Sequence, residues 1–326
     1  AHQGADTFYG HQEIMGTRPP VPVPEPFQVA IEQVMRELSN AGYSVRVETS
    51  RSSGLRFLIV NEACTVADKC DPGQAFNVTA SLDDMEFETE LSIGRIVRSI
   101  ARTPRVITFG GRGVHLENLL AAVEEHGGYI GINAPASGVY SNDYHCIHMG
   151  YGVDETVQAP YLIGSSGIDV RLLGKAADVC ANKFGQSESI VDTKTVLGRT
   201  LALVEEPGQR FICANVQETD LMGHRENVEG YAEILRVADG GIDKIANSLR
   251  PEDVLVVMAD HGNDPTIGHP HHTRERVPLL IAHNGAPVGS IGTRKTLSDV
   301  GATACEYFDA GKPQNGESFL AKIGVR

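Results

Sequence analysis

The chain is short of the residue patterns on which several function classes depend. Its six cysteines (Cys64, Cys70, Cys146, Cys180, Cys213 and Cys305) are scattered and form no C-x-x-C pair. That argues against both a thiolate zinc site and a disulfide framework, and leaves reduced, mostly buried thiols. Positive charge is scarce: 28 lysines and arginines face 42 aspartates and glutamates, a formal net charge of -14. Phosphate backbones are bound by basic patches, so this balance argues against a general nucleic-acid surface. No apolar run approaches the roughly 18 residues of a membrane span, and the N-terminus lacks a basic segment followed by a hydrophobic one. A cytoplasmic protein without membrane association is expected.

What the chain does have, concentrated in two places, is metal-ligating side chains. Asp260-His261-Gly262-Asn263-Asp264-Pro265-Thr266 is followed by His272, with His269 and His271 beside it. Val254 to Met258, just before, reads as a buried strand of a parallel sheet, and ligands in such sheets collect beyond the carboxyl ends of strands. Phe211 to Val216 reads as a second such strand and is followed by Asp220 and His224. Carboxylate together with imidazole suits borderline or hard divalent ions such as manganese, magnesium or zinc. Asp220, His224, Asp260, His261 and His272 are too many ligands for one closed tetrahedral site and enough for two open ones. Spacing alone does not choose among His269, His271 and His272.

At 326 residues the chain exceeds the usual single-domain size, so a boundary is expected. The proline-rich Arg18 to Pro26 cannot propagate a helix or a central strand and reads as a linker. Helical spacing over Phe27 to Leu38, then strands at Ser44 to Val47 and Phe57 to Val60, open an α+β unit. Strands at Arg105 to Phe109 and Tyr129 to Ile132, with a helix over Leu116 to Glu125 between them, continue it. The glycine- and histidine-rich Tyr140 to Val153 reads as a second linker. An α/β rhythm follows: a strand at Ile168 to Leu173, an amphipathic helix from Val228 to Leu249 and a strand at Val277 to Ala282. The reading is an α/β core in two parts, 1–23 and 151–326, whose sheet is flanked by helices, with an inserted α+β domain over 24–150. There is no internal repeat.

Phosphoryl chemistry at such metals requires a nucleophile. Thr7, after Asp6, offers a hydroxyl that metal coordination can activate. The same Asp-Thr pair also reads as a helix cap.

The chain resembles phosphopentomutases of the alkaline phosphatase-like metalloenzyme superfamily, which also contains the cofactor-independent phosphoglycerate mutases. The likeness is strongest over Asp260 to Pro278, where Ala-Asp-His-Gly-Asn-Asp-Pro-Thr and His-Thr-Arg-Glu-Arg-Val-Pro are similar to the family signature and the step from Asp260 selects His272. Asp6-Thr7 with Gly10-His11 and Glu13 is similar to the segment bearing the family's phosphorylated threonine. Gly174-Lys175-Ala176-Ala177-Asp178 matches another core motif, and Ile93-Gly94-Arg95-Ile96-Val97 resembles a substrate-contacting piece of the cap.

The resemblance implies an alkaline phosphatase-like core with an inserted cap domain. It implies an intramolecular phosphotransferase of nucleoside catabolism that interconverts (deoxy)ribose 1-phosphate and (deoxy)ribose 5-phosphate through a phosphothreonine. Thr7 would accept the phosphoryl group and touch one metal, held by Asp260 and His261. Asp220, His224 and His272 would hold a second, with manganese as the implied divalent ion at both. Arg95 and Lys175 match positions that hold substrate phosphate or sugar, tasks that suit a forked guanidinium and a point charge. The implied partner is a phosphorylated pentose.

Ala5 and Gln12 stand where the family has lysine and tryptophan. Asp220 lies four residues before His224, as in the phosphoglycerate mutases, where many phosphopentomutases have five. Asp71 to Phe76 follows the family's acidic substrate segment only loosely. Family members also begin with a strand ending in an aspartate that binds the nucleophile-side metal, and this sequence starts just before the nucleophile. The expectation is a piece lacking that strand. Two alternatives stand beside the mutase: a metal-dependent phosphatase of the same superfamily, and an inactive remnant that binds metal or a partner.

Overall fold

The computed structural model describes residues 7–18, 20–69, 73, 75–283 and 289–325. Asp6, Cys70, Asp71, Pro72 and Gln74 therefore lie outside the described residues. The chain forms two compact units: Ala1–Pro19 with Asp154–Arg326, and Pro20–Val153. The sequence reading placed the two boundaries at 23 and 150.

The core unit opens with α1 (Thr7–Ile14), a helix whose residues from Phe8 to Glu13 are all buried. The inserted unit then begins with α2 (Phe27–Asn40), β1 (Val45–Thr49), β2 (Arg56–Val60), β3 (Cys64–Asp68), β4 (Ala75–Ser81) and α3 (Phe87–Ile100). It continues with β5 (Arg105–Gly111), α4 (Leu116–Ala121), β6 (Val123–His126), β7 (Tyr129–Ile132), α5 (Ala134–Ser137) and β8 (His145–Gly150). The sheet runs β1-β2-β3-β4-β5-β8, with β7 paired to the end of β3 and β6 paired to β7. Both faces are covered, so β3 and β4 are buried at every residue. Phe27, Ile31, Val34 and Leu38 recur at helical spacing on α2 and pack with Ile93 and Val97 of α3 over Leu58, Val66, Val78 and Val106. Gly94 lets α3 approach β5, since a Cβ there would stand 2.1 Å from Thr108 Oγ1.

Two sequence expectations fail in this unit. Tyr140 to Val153 is not simply a linker, because β8 ladders antiparallel along β5 from Gly150 to His145. Its glycines and histidines hid the strand from a pattern based on apolar alternation. The helix expected to reach Glu125 stops at Ala121, and Val123–His126 turns back on Tyr129–Ile132 as a hairpin. Gly127 and Gly128, both at positive φ (54° and 89°), make the turn that residues with a Cβ rarely adopt.

The core unit resumes with α6 (Ala159–Ser165), β9 (Asp169–Gly174), α7 (Lys175–Val179), β10 (Gln186–Glu188) and α8 (Thr193–Glu205). Then come β11 (Arg210–Asn215), α9 (Glu218–His224), α10 (Val228–Asn247), β12 (Val254–Met258), β13 (Leu279–His283) and α11 (Ser298–Tyr307). β9 lies between β10 and β11, all parallel. Val254–Met258 is a strand as expected, but it pairs antiparallel with β13 rather than within a parallel ladder, and its residues are half-buried. The cause is the connection: parallel neighbours need a crossover element, and 259–278 returns directly as a loop. Helices cover both of these sheets. Ile212 of β11 packs with Val196 and Leu203 of α8, and Leu255 of β12 packs with Ala238 and Ile245 of α10. Among the described residues no helix is long and apolar enough to cross a membrane.

Candidate metal centre

Three strand ends deliver side chains to one cavity of about 260 Å³. Lys175 follows β9, Asn215 ends β11 and Thr219, Asp220 and His224 follow it, and Asp260, His261 and Asn263 follow β12, with Thr7 of α1 also in the wall. Gly174 makes the first of these turns at φ +64°, and a Cβ there would stand 2.3 Å from Asn215 O. Only glycine meets both demands, so Lys175 starts its helix close against β11. Asp220 and His224 are four apart on α9 and share one of its faces. A bridge between Gly262 and Thr273 folds the returning loop back, which sets the His272 ring 3.8 Å from the His261 ring.

The ligating atoms of Asp220, His224 and His272 all lie within 4.8 Å of one another. His224 Nε2 is 3.3 Å from Asp220 Oδ2 and 3.0 Å from His272 Nε2, which is itself 3.1 Å from Asp220 Oδ1. His224 Nδ1 donates to Pro270 O at 2.6 Å, so in the neutral ring Nε2 presents a lone pair to the carboxylate. His261 follows the same logic: Nδ1 donates to Gly262 O at 3.1 Å, and the Nε2 lone pair accepts from Thr7 Oγ1 at 2.8 Å. Asp260 Oδ2 lies 3.4 Å from that Nε2, buried and without a hydrogen-bond donor among the described residues. Lone pairs converging on one another repel unless a cation stands among them. The donor set therefore fits divalent metal ions, and its mixture of oxygen and nitrogen suits manganese or zinc better than a soft metal.

The carboxylates are held in their charged form. Burial pushes Asp220 upward, but the adjacent His272, the amide of Asn263 that donates to it, and the neighbouring His224 outweigh burial and bring it down to about 2. Burial acts on Asp260 in the same sense, and the adjacent His11 and His261 leave it below the usual carboxylate range. His11 is itself raised, its burial being outweighed by Asp260 and the Thr7 carbonyl. A metal centre needs anionic carboxylates, and burial by itself works against them.

Thr7, Asp220, His224, Asp260, His261 and His272 thus meet in one place, with Lys175 lining the same cavity beside Asp178. Thr7 is the first residue of α1, and its hydroxyl turns to His261. Arg95 lies in the other unit, exposed on α3 and paired with Glu88 at 3.0 Å. His269 and His271 pack on each other. Two contributors carry no signal in spacing. Asn263 donates to Asp220 Oδ1 at 2.7 Å, and His11 lies 3.2 Å from Asp260 Oδ2. Gln12 is buried, donates to Val179 O at 2.6 Å and accepts from Gln158 Nε2 at 2.6 Å.

The model of a family described as the Metalloenzyme superfamily matches residues 21–312. A protein of Symbiobacterium thermophilum named phosphopentomutase is 30% identical over 98% of this chain and 79% of its own length. One of Aliivibrio fischeri with the same name is 35% identical over 49% of this chain and 40% of its own. The chain thus spans less than half the length of several curated relatives it matches. A solved structure of a Pyrococcus horikoshii protein aligns with 95% of this chain and 82% of its own, at 13% identity and a TM-score of 0.44.

Proposed function

Because the chain belongs to the metalloenzyme superfamily and has its alkaline phosphatase-like fold, we propose that it carries the catalytic centre of a phosphopentomutase-like mutase. The observation that supports this most is the Thr7 hydroxyl, 2.8 Å from His261 Nε2 in a cavity shared with Asp220, Asp260 and Lys175. Asp260, His261 and Thr7 would hold one divalent ion, and Asp220, His224 and His272 the other. Two such ions, manganese in this reading, supply neutralisation of phosphoryl charge and activation of the threonine oxygen.

Thr7, phosphorylated first by a bisphosphorylated sugar that leaves as a monophosphate, gives its phosphoryl group to the unphosphorylated C1 or C5 oxygen of a (deoxy)ribose monophosphate. The Oγ–P bond breaks as the sugar O–P bond forms. Thr7 then retrieves the other phosphoryl group from the bisphosphorylated sugar, which leaves as the isomer. Lys175 offers a mobile point charge to the substrate phosphate. Substrate binding by Arg95 is proposed on the resemblance of its segment alone.

The test is metal analysis joined to an assay with ribose 1-phosphate. Manganese-dependent formation of ribose 5-phosphate, abolished by Thr7→Ala, is the expected result. Release of inorganic phosphate without isomerisation would make the protein a phosphatase, and turnover untouched by Thr7→Ala would remove the proposal.

A further inference from the structure

His11 belongs to neither ligand set, yet it is 3% exposed and touches both Thr7 and Asp260. Its Nδ1 lies 2.9 Å from the Thr7 carbonyl oxygen, and since a carbonyl only accepts, Nδ1 carries the proton. The same nitrogen lies 3.2 Å from Asp260 Oδ2, a buried oxygen that receives no hydrogen bond among the described residues, so the contact is one of charge while the N–H itself points to the Thr7 carbonyl. One ring nitrogen therefore stands against both the helix bearing the hydroxyl and the strand end bearing the carboxylate.

The neighbours of His11 make that contact firm. Gly10 brings α1 against the strand end, where a Cβ would stand 2.8 Å from Asp260 O. Gln12 ties the helix to Val179 and Gln158, and Glu13 accepts from Thr296 Oγ1 and from the Leu297 amide at 3.1 Å. Thr7 stands about one helical turn before His11, so displacement at His11 is transmitted to the Thr7 oxygen. Groups that orient metal ligands without touching the metal change its affinity substantially.

We infer that His11 is a positioning residue: its Nδ1, bonded to the Thr7 carbonyl and held against the Asp260 carboxylate, fixes the spacing of the two and so sets the affinity of the nucleophile-side metal position. The inference rests on the proposed assignment of Thr7, Asp260 and His261 to one ion. It separates a specific atom, Nδ1, from the bulk of the ring, and this makes it testable with two amides. The amide nitrogen of asparagine falls where His Nδ1 stands, whereas that of glutamine falls nearer His Nε2.

The experiment titrates the full chain with Mn2+ alone and counts bound ions, comparing wild type, His11→Asn and His11→Gln, with thermal melting of each. Asp260→Asn and Asp220→Asn identify which binding step belongs to which position. His11→Asn should keep both steps, and His11→Gln should weaken only the Asp260 step, by roughly 10- to 100-fold. Equal affinities in the two variants, whether both normal or both reduced, would overturn the role of Nδ1. A wild-type chain that takes up no Mn2+ would instead overturn the metal-centre reading beneath it.

Discussion

The candidate metal centre of the core half-buries its carboxylates and the inserted unit fully buries Asp68 and Glu90, and the two settings act on their acids in opposite ways. In the core, imidazoles and an amide surround Asp220 and Asp260, and both acids fall below the usual range, Asp220 to about 2. In the inserted unit, burial lifts Asp68 to about 6 and Glu90 to about 8, and nearby backbone amides offset only part of the rise. Asp68 spends its oxygens on architecture: Oδ1 accepts from the Phe27 amide at 2.7 Å, where α2 begins, and Oδ2 from Ile130 at 3.4 Å. Burial alone therefore does not mark a functional carboxylate. Burial combined with converging imidazole lone pairs does.

The comparison breaks most readily through metal uptake. Asp220→Ala removes a member of the three-ligand set, and Mn2+ affinity should fall by more than the roughly 10- to 100-fold cost of losing a supporting partner. Asp68→Ala should leave Mn2+ titration unchanged while lowering the melting temperature. Equal loss of metal in both variants would erase the distinction between the units.

Stability against pH sharpens it next. The folded-state values of Glu90 and Asp68 are raised, so the stabilisation tied to their protonation is complete below about pH 4, near their ordinary values. It is lost as pH rises through 6 for Asp68 and through 8 for Glu90. For Glu90 the loss is on the order of several kcal/mol. Glu90→Gln, uncharged at every pH, should therefore resist urea better than wild type at pH 9 and lose that advantage at pH 5. The sign reverses in the metal-free core. Asp220 is lowered, so its contribution is present above about pH 4 and is lost as pH falls through 2. Amide exchange resolved by unit should show inserted-unit protection growing from pH 8 to 5.

The smallest expected effect concerns Arg95. Its pair with Glu88 joins two side chains that are 61% and 76% exposed. Arg95→Ala should change the stability of the inserted unit by less than about 1 kcal/mol in urea titration. A larger loss would mean that Arg95 serves packing, and any change in the KM for ribose 1-phosphate could then not be assigned to substrate contact.

What could be read from the sequence was local. The unbroken apolar run Val254–Met258, the stripe along α10 and the spacing of Phe27, Ile31, Val34 and Leu38 announce their elements because a single period governs each. The ligand cluster was visible because its members follow strand ends directly. What could not be read depends on partners distant in the chain. β12 pairs with β13 because of the loop between them, and no residue within Val254–Met258 encodes that direction. Asn263 meets Asp220 across 43 residues, and Gln12 meets Gln158 across 146. In the Ile93 to Val97 segment, Gly94 faces β5 while Arg95 points out, a consequence of its lying on a helix that only packing reveals.

The most direct test locates the phosphoryl group. The Mn2+-loaded chain would be incubated with ribose 1-phosphate and a trace of the bisphosphorylated sugar, digested and mapped by mass spectrometry, beside a metal-free sample and Asp260→Asn. The account predicts a phosphate on Thr7 in the loaded wild type and in neither control. Turnover with Thr7 unmodified and another residue phosphorylated would contradict it.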